Sequence, residues 1–329
     1  MGAAITGWGR SLPSSVLTNA QLSARLGVEP EWILDRTGIE SRAVATPLET
    51  TSSLATSAGR EALSRAGADP REVDLILVAT VTPDYRMPAT ASLVQHALGA
   101  DKAGACDINA ACSGFVYALS HAAALVEART CRRVLVCGAE VLSRITDYTD
   151  ASSCVLFGDG AGAVVVEWVE GPSRLGPFLL GSDGSDPELL HIDRVSGFVR
   201  MNGREVYKRA VSTMRSCVER ILEEASLTLD EVDLVVAHQA NQRIVAAVEE
   251  QLGARPGQMM SNIRMLGNTS AASVPLALAE SADAGTITAG DKVVVVAFGA
   301  GFTWAAGLVR WGVPAVVHTP QTVGTPSYV

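Results

Sequence analysis

The sequence predicts an α/β fold built from two copies of one strand–helix unit, and two observations carry that prediction. Placing Val73-Asp74-Leu75 on Val232-Asp233-Leu234, an offset of 159 residues, also lays Asn109 on Asn268, Ala118-Leu119 on Ala277-Leu278 and Val134-Leu135-Val136 on Val293-Val294-Val295. The helix-like stretch 55–66 falls on 214–225 at the same offset. A repeat of this length is too long for a solenoid and reads as one α/β unit used twice. The second observation is the alternation of short, β-branched apolar runs with longer helical stretches.

Taken in order, strands are expected at 74–80 (DLILVAT), 104–108, 133–140 (RVLVCGAE), 161–169 (AGAVVVEWV), 233–239 (DLVVAHQ) and 292–299 (KVVVVAFG). Their apolar runs are continuous rather than alternating, which suits strands covered on both faces. Helices are expected at 51–66, 112–128, 205–225 and 241–252. Strand–helix alternation predicts a mostly parallel sheet in each half, with helices packed on it. No linker rich in Gly, Pro or Ser separates the halves, and GPSRLGP near 171–177 is the best boundary. The expected units are 1–170 and 171–313, two sheets sharing a helical layer. Residues 314–329, with Pro314, Pro320 and Pro326 and no periodicity, read as a flexible tail.

The bulk numbers narrow the function classes. With 329 residues, 48% of them hydrophobic, the chain can bury a large core. A net charge of −9 and a pI near 5.1 argue against a nucleic-acid surface, which needs basic excess. No apolar run approaches the roughly 18 residues of a membrane helix. The start, MGAAITGWGRSLP, lacks the basic flank and apolar core of an export signal, so a cytoplasmic chain is expected. Six cysteines show no C-x-x-C pair and no histidine at zinc-site spacing, which predicts neither disulfide nor structural metal.

Three residues stand at positions suited to chemistry. Cys112, in NAACSGF, follows the strand 104–108 and opens an apolar helix. A thiol there meets the positive end of a helix, which favours thiolate, and Ala110, Ala111, Ser113 and Gly114 leave room for a substrate. The alternative is a structural cysteine in a tight turn. His238 ends the strand DLVVAHQ, at the carboxyl edge where parallel sheets bind ligands. A satisfied structural histidine is the competing assignment. Asn268, in LGNTSAASVPLAL, begins a helix and is either an ordinary cap or a functional amide. If the two copies pack about a pseudo-twofold axis, Cys112 and Asn268 open related helices that converge. Cysteine, histidine and asparagine together make an acyl-transfer site with cysteine as nucleophile.

Two segments are rich in glycine. FGDGAGAVVV (157–166) lacks the G-x-G-x-x-G spacing and runs into a strand, so it reads as a tight turn and not a dinucleotide site. AFGAGFTW (297–304) joins two strands, and its backbone amides are placed to serve as an oxyanion donor.

NAACSGF, HQANQRI, GNTSAASVPLAL and AFGAGFTW, together with WILDRTGI and FGDGAGA, resemble β-ketoacyl-acyl carrier protein synthase III over about residues 3–311. The resemblance implies a thiolase-like fold, duplicated α/β units in a layered αβαβα arrangement, and a homodimer. It implies that Cys112 takes an acyl group from acyl-CoA, while His238 and Asn268 hydrogen-bond the thioester carbonyl of malonyl-acyl carrier protein. The carbanion left by departing carbon dioxide then attacks acyl-Cys112, initiating fatty-acid or polyketide synthesis without a cofactor beyond the acyl-CoA substrate. Backbone amides of Cys112 and Ala300 would form the oxyanion hole. Along the coenzyme A channel the matching positions are Trp32 (adenine stacking), Arg36 (phosphate), Asn202, Gly203, Tyr207, Ala240, Asn241 and Arg243. Phe298 would wall the site, and Met87 would close the acyl pocket of the partner subunit.

The sequence departs from the family pattern in two places. Ala151 stands where many members carry a coenzyme A-binding arginine. The helix after HQANQRI carries Glu249 and Glu250 where lysines often face the acidic carrier protein. Like charges there disfavour docking. Arg204, Lys208, Arg209 and Arg215 are either a compensating patch or solvated helix charges. The acidic pair motivates a second reading, a thiolase-fold acyltransferase moving the acyl group to an O, N or S nucleophile. A non-enzymatic structural role is a third, disfavoured by the intact Cys, His and Asn.

Overall fold

A computed structural model describes residues 2–312, so the stretch 314–329 read as a tail lies outside the described residues. The chain opens with β1 (Gly2–Ser11), β2 (Ser15–Thr18), α1 (Asn19–Leu26), α2 (Pro30–Thr37), β3 (Ser41–Val44) and α3 (Thr51–Arg65). It continues through β4 (Leu75–Ala79), α4 (Thr90–Leu98), β5 (Gly104–Ile108), α5 (Gly114–Glu127), β6 (Arg133–Val141) and β7 (Asp159–Val169). Next come β8 (Leu175–Gly181), β9 (Leu190–Ile192), β10 (Val199–Met201), α6 (Gly203–Glu224) and β11 (Leu234–Ala237). The last elements are α7 (Gln242–Leu252), α8 (Ile263–Leu266), α9 (Ser273–Asp283), β12 (Lys292–Gly299) and β13 (Thr303–Arg310).

Two sheets form the frame. One has the order β1-β7-β6-β4-β5, the other β11-β12-β13-β8. Both are mixed, which corrects the expectation of mostly parallel sheets. The β4–β5, β4–β6 and β11–β12 pairs are parallel; β1–β7, β6–β7, β12–β13 and β13–β8 are antiparallel. The reason is connectivity. Helices α4 and α5 cross between parallel strands, whereas β12 reaches β13 through a three-residue turn that can only reverse the chain.

Helices α5 and α9 lie between the sheets. Phe115, Leu119 and Leu278 share one core with Val134 and Val164 of the first sheet and Val293 and Val295 of the second. Helix α5 is apolar nearly all round, as a helix buried between two sheets must be. Helices α3 and α4 cover the outer face of the first sheet, and α6 and α7 that of the second. The result is the layered αβαβα arrangement. A fourth cluster, built on Leu22, Ile33, Phe157 and Ile263, ties α1, α2 and the β2–β3 ribbon over the site.

The 159-residue offset is realised in the backbone. Short 3-10 turns at Ala111–Ser113 and Ser270–Ala272 precede α5 and α9, and Ala111 and Ser270 take matching positive φ of 48° and 47°. The Asn109 and Asn268 side chains accept from the Ala111 and Ser270 amides respectively. Asp74 and Asp233 likewise accept from the first amides of β6 and β12.

The segment 157–166 is not the tight turn expected. Gly160 and Gly162 lie within β7, and neither has a positive φ. A Cβ at Gly162 would stand 2.6 Å from the Pro275 carbonyl carbon, so glycine is needed there for α9 to pack closely.

Candidate active site

The two 3-10 turns and the end of β11 meet at the floor of a cavity of about 1020 Å³, lined there by Cys112, His238 and Asn268. The residues come from both halves because each half contributes one such turn at one end of the central helical layer.

The Cys112 turn is pinned from below. Thr303 Oγ1 donates to the Ala110 carbonyl at 2.8 Å, and Ser113 Oγ donates to the Thr303 carbonyl at 3.1 Å. A Cβ on Gly299 would stand 2.7 Å from the Cys112 amide nitrogen, so the end of β12 packs directly against the backbone of the turn. The thiol does not show the lowered pKa expected of a helix N-terminus. Burial pushes it up to about 12, with a hydrogen bond from Ser270 working in the opposite direction and the Glu140 carboxylate adding to the rise. Ser113, not Cys112, occupies the N-cap of α5, and the low-polarity floor outweighs the helix end.

His238 is 2% exposed, and its amide donates to the Val296 carbonyl at 2.7 Å, which locks the end of β11 to β12. Its Nδ1 lies 2.7 Å from Ser273 Oγ, which also accepts from the Gln239 amide. Where the Ser273 hydroxyl donates to Nδ1, the ring proton sits on Nε2. Burial lowers the imidazole pKa to about 3, so the ring is a neutral donor.

Asn268 is clamped by its backbone to the 156–158 segment, donating to the Leu156 carbonyl and accepting from the Gly158 amide. Its Oδ1 accepts from the Ser270 amide at 2.9 Å. That bond fixes which end of the side-chain amide is oxygen and leaves Nδ2 as a donor.

Toward the mouth the cavity is lined by Trp32, Arg36, Gly203, Tyr207, Asn241 and Arg243, with Ala240, Phe298 and Ala300 deeper. The Arg36 guanidinium lies 4.7 Å from the Trp32 ring centroid and that of Arg243 5.9 Å from Tyr207, so both cations are braced on aromatic faces. Asn241 Nδ2 donates to the Arg36 carbonyl, tying α7 to α2. Two expected residues lie elsewhere. Asn202 is outside the lining and caps α6, its side chain accepting from the Glu205 amide. Met87 is 86% exposed and outside this chain's cavity.

The departures also have places. Ala151 lines the cavity, and beside it Arg200 pairs with Asp147 at 2.8 Å and Asp150 at 3.7 Å. Arg204 and Lys208 line the mouth, while Arg209 pairs with Asp186 and Arg215 with Glu219. The last is an ordinary solvated i,i+4 pair. Sequence reasoning missed Ser273, Glu140 and Ser270. Ser270 could have been found, because the 159 offset sets it opposite Ala111, next to Cys112.

Fold and site define a thiolase-like α/β enzyme with a cysteine at the floor of its cavity. A family model described as 3-oxoacyl-[acyl-carrier-protein (ACP)] synthase III matches residues 106–184, and the model for its C-terminal part matches 222–311. The β-ketoacyl-[acyl-carrier-protein] synthase III of Geobacillus kaustophilus is 46% identical, covering 95% of this chain and 100% of its own. The crystal structure of 3-oxoacyl-[acyl-carrier-protein] synthase III from Aquifex aeolicus superposes with a TM-score of 0.92 at 46% identity, covering 94% and 100%. The priming β-ketosynthase of the R1128 polyketide pathway gives 0.91 at 36% identity, covering 95% and 97%. The chain belongs to the β-ketoacyl-acyl carrier protein synthase III family.

Proposed function

We propose that the chain transfers an acyl group from acyl-CoA to Cys112 and condenses it with malonyl-acyl carrier protein, starting fatty-acid or polyketide synthesis. The observation that carries this reading is the convergence of Cys112, His238 and Asn268 from two halves on one cavity floor. In this reading the halves divide the chemistry: 1–170 supplies the nucleophile and 171–313 the two donors.

Coenzyme A enters past Trp32 and Tyr207, with Arg36 and Arg243 meeting its phosphates. The Cys112 sulfur attacks the thioester carbonyl, whose oxygen is received by the Cys112 and Ala300 amides. After coenzyme A leaves, malonyl-carrier protein delivers its thioester to His238 Nε2–H and Asn268 Nδ2–H. Both donors are neutral, so they stabilise the enolate formed as carbon dioxide departs without protonating its carbon. The carbanion attacks the acyl carbon and releases the Cys112 thiolate. The chemistry uses no bound cofactor. Arg204 and Lys208 at the mouth would receive the acidic carrier, and Met87 would serve the pocket of a second subunit in a homodimer. All six cysteines are free thiols, which supports the cytoplasm as the place of action.

Incubation with acyl-CoA and malonyl-carrier protein should yield carbon dioxide and a β-ketoacyl product two carbons longer than the donor acyl group. A transferred acyl group with no new carbon–carbon bond would favour an oxygen, nitrogen or sulfur acceptor instead.

A further inference from the structure

One buried carboxylate at the site has no part in the chemistry above. Glu140, near the end of β6, is fully buried, and among the described residues no cationic side chain forms an ion pair with it. Its donors are all neutral: the Val81 amide at 3.1 Å, Thr80 Oγ1 at 3.2 Å, Thr82 Oγ1 at 2.6 Å and Ser270 Oγ at 3.0 Å. A buried carboxylate without a cation is costly and calls for an account.

The internal repeat shows that this contact is not demanded by the fold. The 159 offset places Glu140 on Gly299 and Ser270 on Ala111. Each strand end packs on the 3-10 turn of the other half: β12 through Gly299 against Cys112, β6 through Glu140 against Ser270. One of the two equivalent contacts needs only glycine; the other carries a carboxylic acid.

The three hydroxyls around Glu140 differ in freedom. Thr82 Oγ1 accepts from the Val141 amide and Thr80 Oγ1 from the Thr82 amide, so their hydrogens are committed to Glu140. Ser270 Oγ takes no such amide bond among the described residues, and Ser270 lines the same cavity floor as Cys112, where its hydroxyl lowers the cost of a thiolate. We infer that Ser270 and Glu140 form a proton relay for Cys112, with Ser270 beside it on the cavity floor and Glu140 positioning the Ser270 hydroxyl hydrogen and accepting the proton. Burial holds the Glu140 carboxyl up at about 7, where it accepts and returns a proton near neutral pH. Among the described residues, the titratable group acting across this network is Cys112 itself.

Resting on the acylation reading above, the step balances as follows. As sulfur attacks the thioester carbon, the S–H bond breaks and its proton passes to Ser270 Oγ, while the Ser270 proton passes to Glu140 Oε1. The bond to coenzyme A breaks, and the departing thiolate recovers the proton from Glu140 through Ser270.

Alkylation of Cys112 by iodoacetamide tests the relay without acyl donor or carrier protein, so its failure leaves the acylation reading standing. With Glu140 as acceptor, a thiolate paired with a neutral carboxyl is populated once one proton has left the pair. The wild-type rate should therefore rise with pH to a midpoint near 7 and then level off. Glu140→Gln should lose the levelling and climb about tenfold per pH unit throughout. Ser270→Ala should move the midpoint up and leave a plateau about tenfold lower, having lost the hydrogen bonds to the carboxylate and to the sulfur. A wild-type rate that climbs through neutrality without a break overturns the relay even if Glu140→Gln does not fold. A break that persists in Glu140→Gln, or a plateau unchanged in Ser270→Ala, overturns it equally.

Discussion

Cys112 and His238 share a water-poor floor, and burial acts on both toward the neutral form. In the proposed condensation this is useful for the histidine: with its pKa lowered to about 3, the ring stays neutral near neutral pH. For the cysteine, in the proposed acylation, it is an obstacle, since the thiol is the weaker nucleophile and its proton must be removed. The histidine's role depends on Ser273, so Ser273→Ala should slow condensation about tenfold, the weight of one good hydrogen bond, while leaving acylation of Cys112 unchanged. Stopped assays of each half-reaction would check this, and equal losses in both would contradict it. Cys112 and His238 were legible because each stands where an apolar strand gives way to a helix, and Asn268 because it opens a helix at the matching point of the repeat. Glu140 was not, because it ends RVLVCGAE as any solvent-facing strand end might; only three dimensions show β4 and the Ser270 turn enclosing it.

At the scale of elements, β12 supports the Cys112 turn with no space between them. Gly299→Ala would force a Cβ to 2.7 Å from the Cys112 nitrogen. Overpacking of this kind costs about 1–3 kcal/mol. We expect a lower melting temperature together with at least tenfold slower acylation of Cys112, measured by scanning calorimetry and intact mass. A variant that loses stability yet acylates normally would show that the turn tolerates displacement. The strands and helices were readable because their apolar runs and periods differ so plainly. Strand direction was not. Periodicity within 292–299 and 303–310 is the same whichever way the second strand runs; the short turn at 300–302 decides it. The glycines at 160 and 162 misled for a related reason. Nothing local distinguishes a glycine needed for backbone conformation from one needed because α9 lies 2.6 Å away from where its Cβ would be.

For the whole molecule, the duplication places the site. Two copies packed about a shared helical layer bring equivalent turns face to face, one carrying Cys112 and the other Asn268, with His238 at the end of a strand beside them. The offset of 159 was visible in the sequence because it holds without a gap from the helix over residues 55–66 to the strand at 134–136. How the copies pack was not, since that is set by side chains far apart in the chain, such as Phe115 and Leu278 in one core. The central claim is that the two halves act in succession, the first on the acyl donor and the second on the malonyl group. Intact mass after exposure to acyl-CoA, compared for wild type, Cys112→Ala, His238→Ala and Asn268→Ala, tests this most directly. The account predicts an acyl adduct on wild type and on both second-half variants, and none on Cys112→Ala. An adduct that survives in Cys112→Ala, or one lost when His238 or Asn268 is removed from a folded protein, would contradict it.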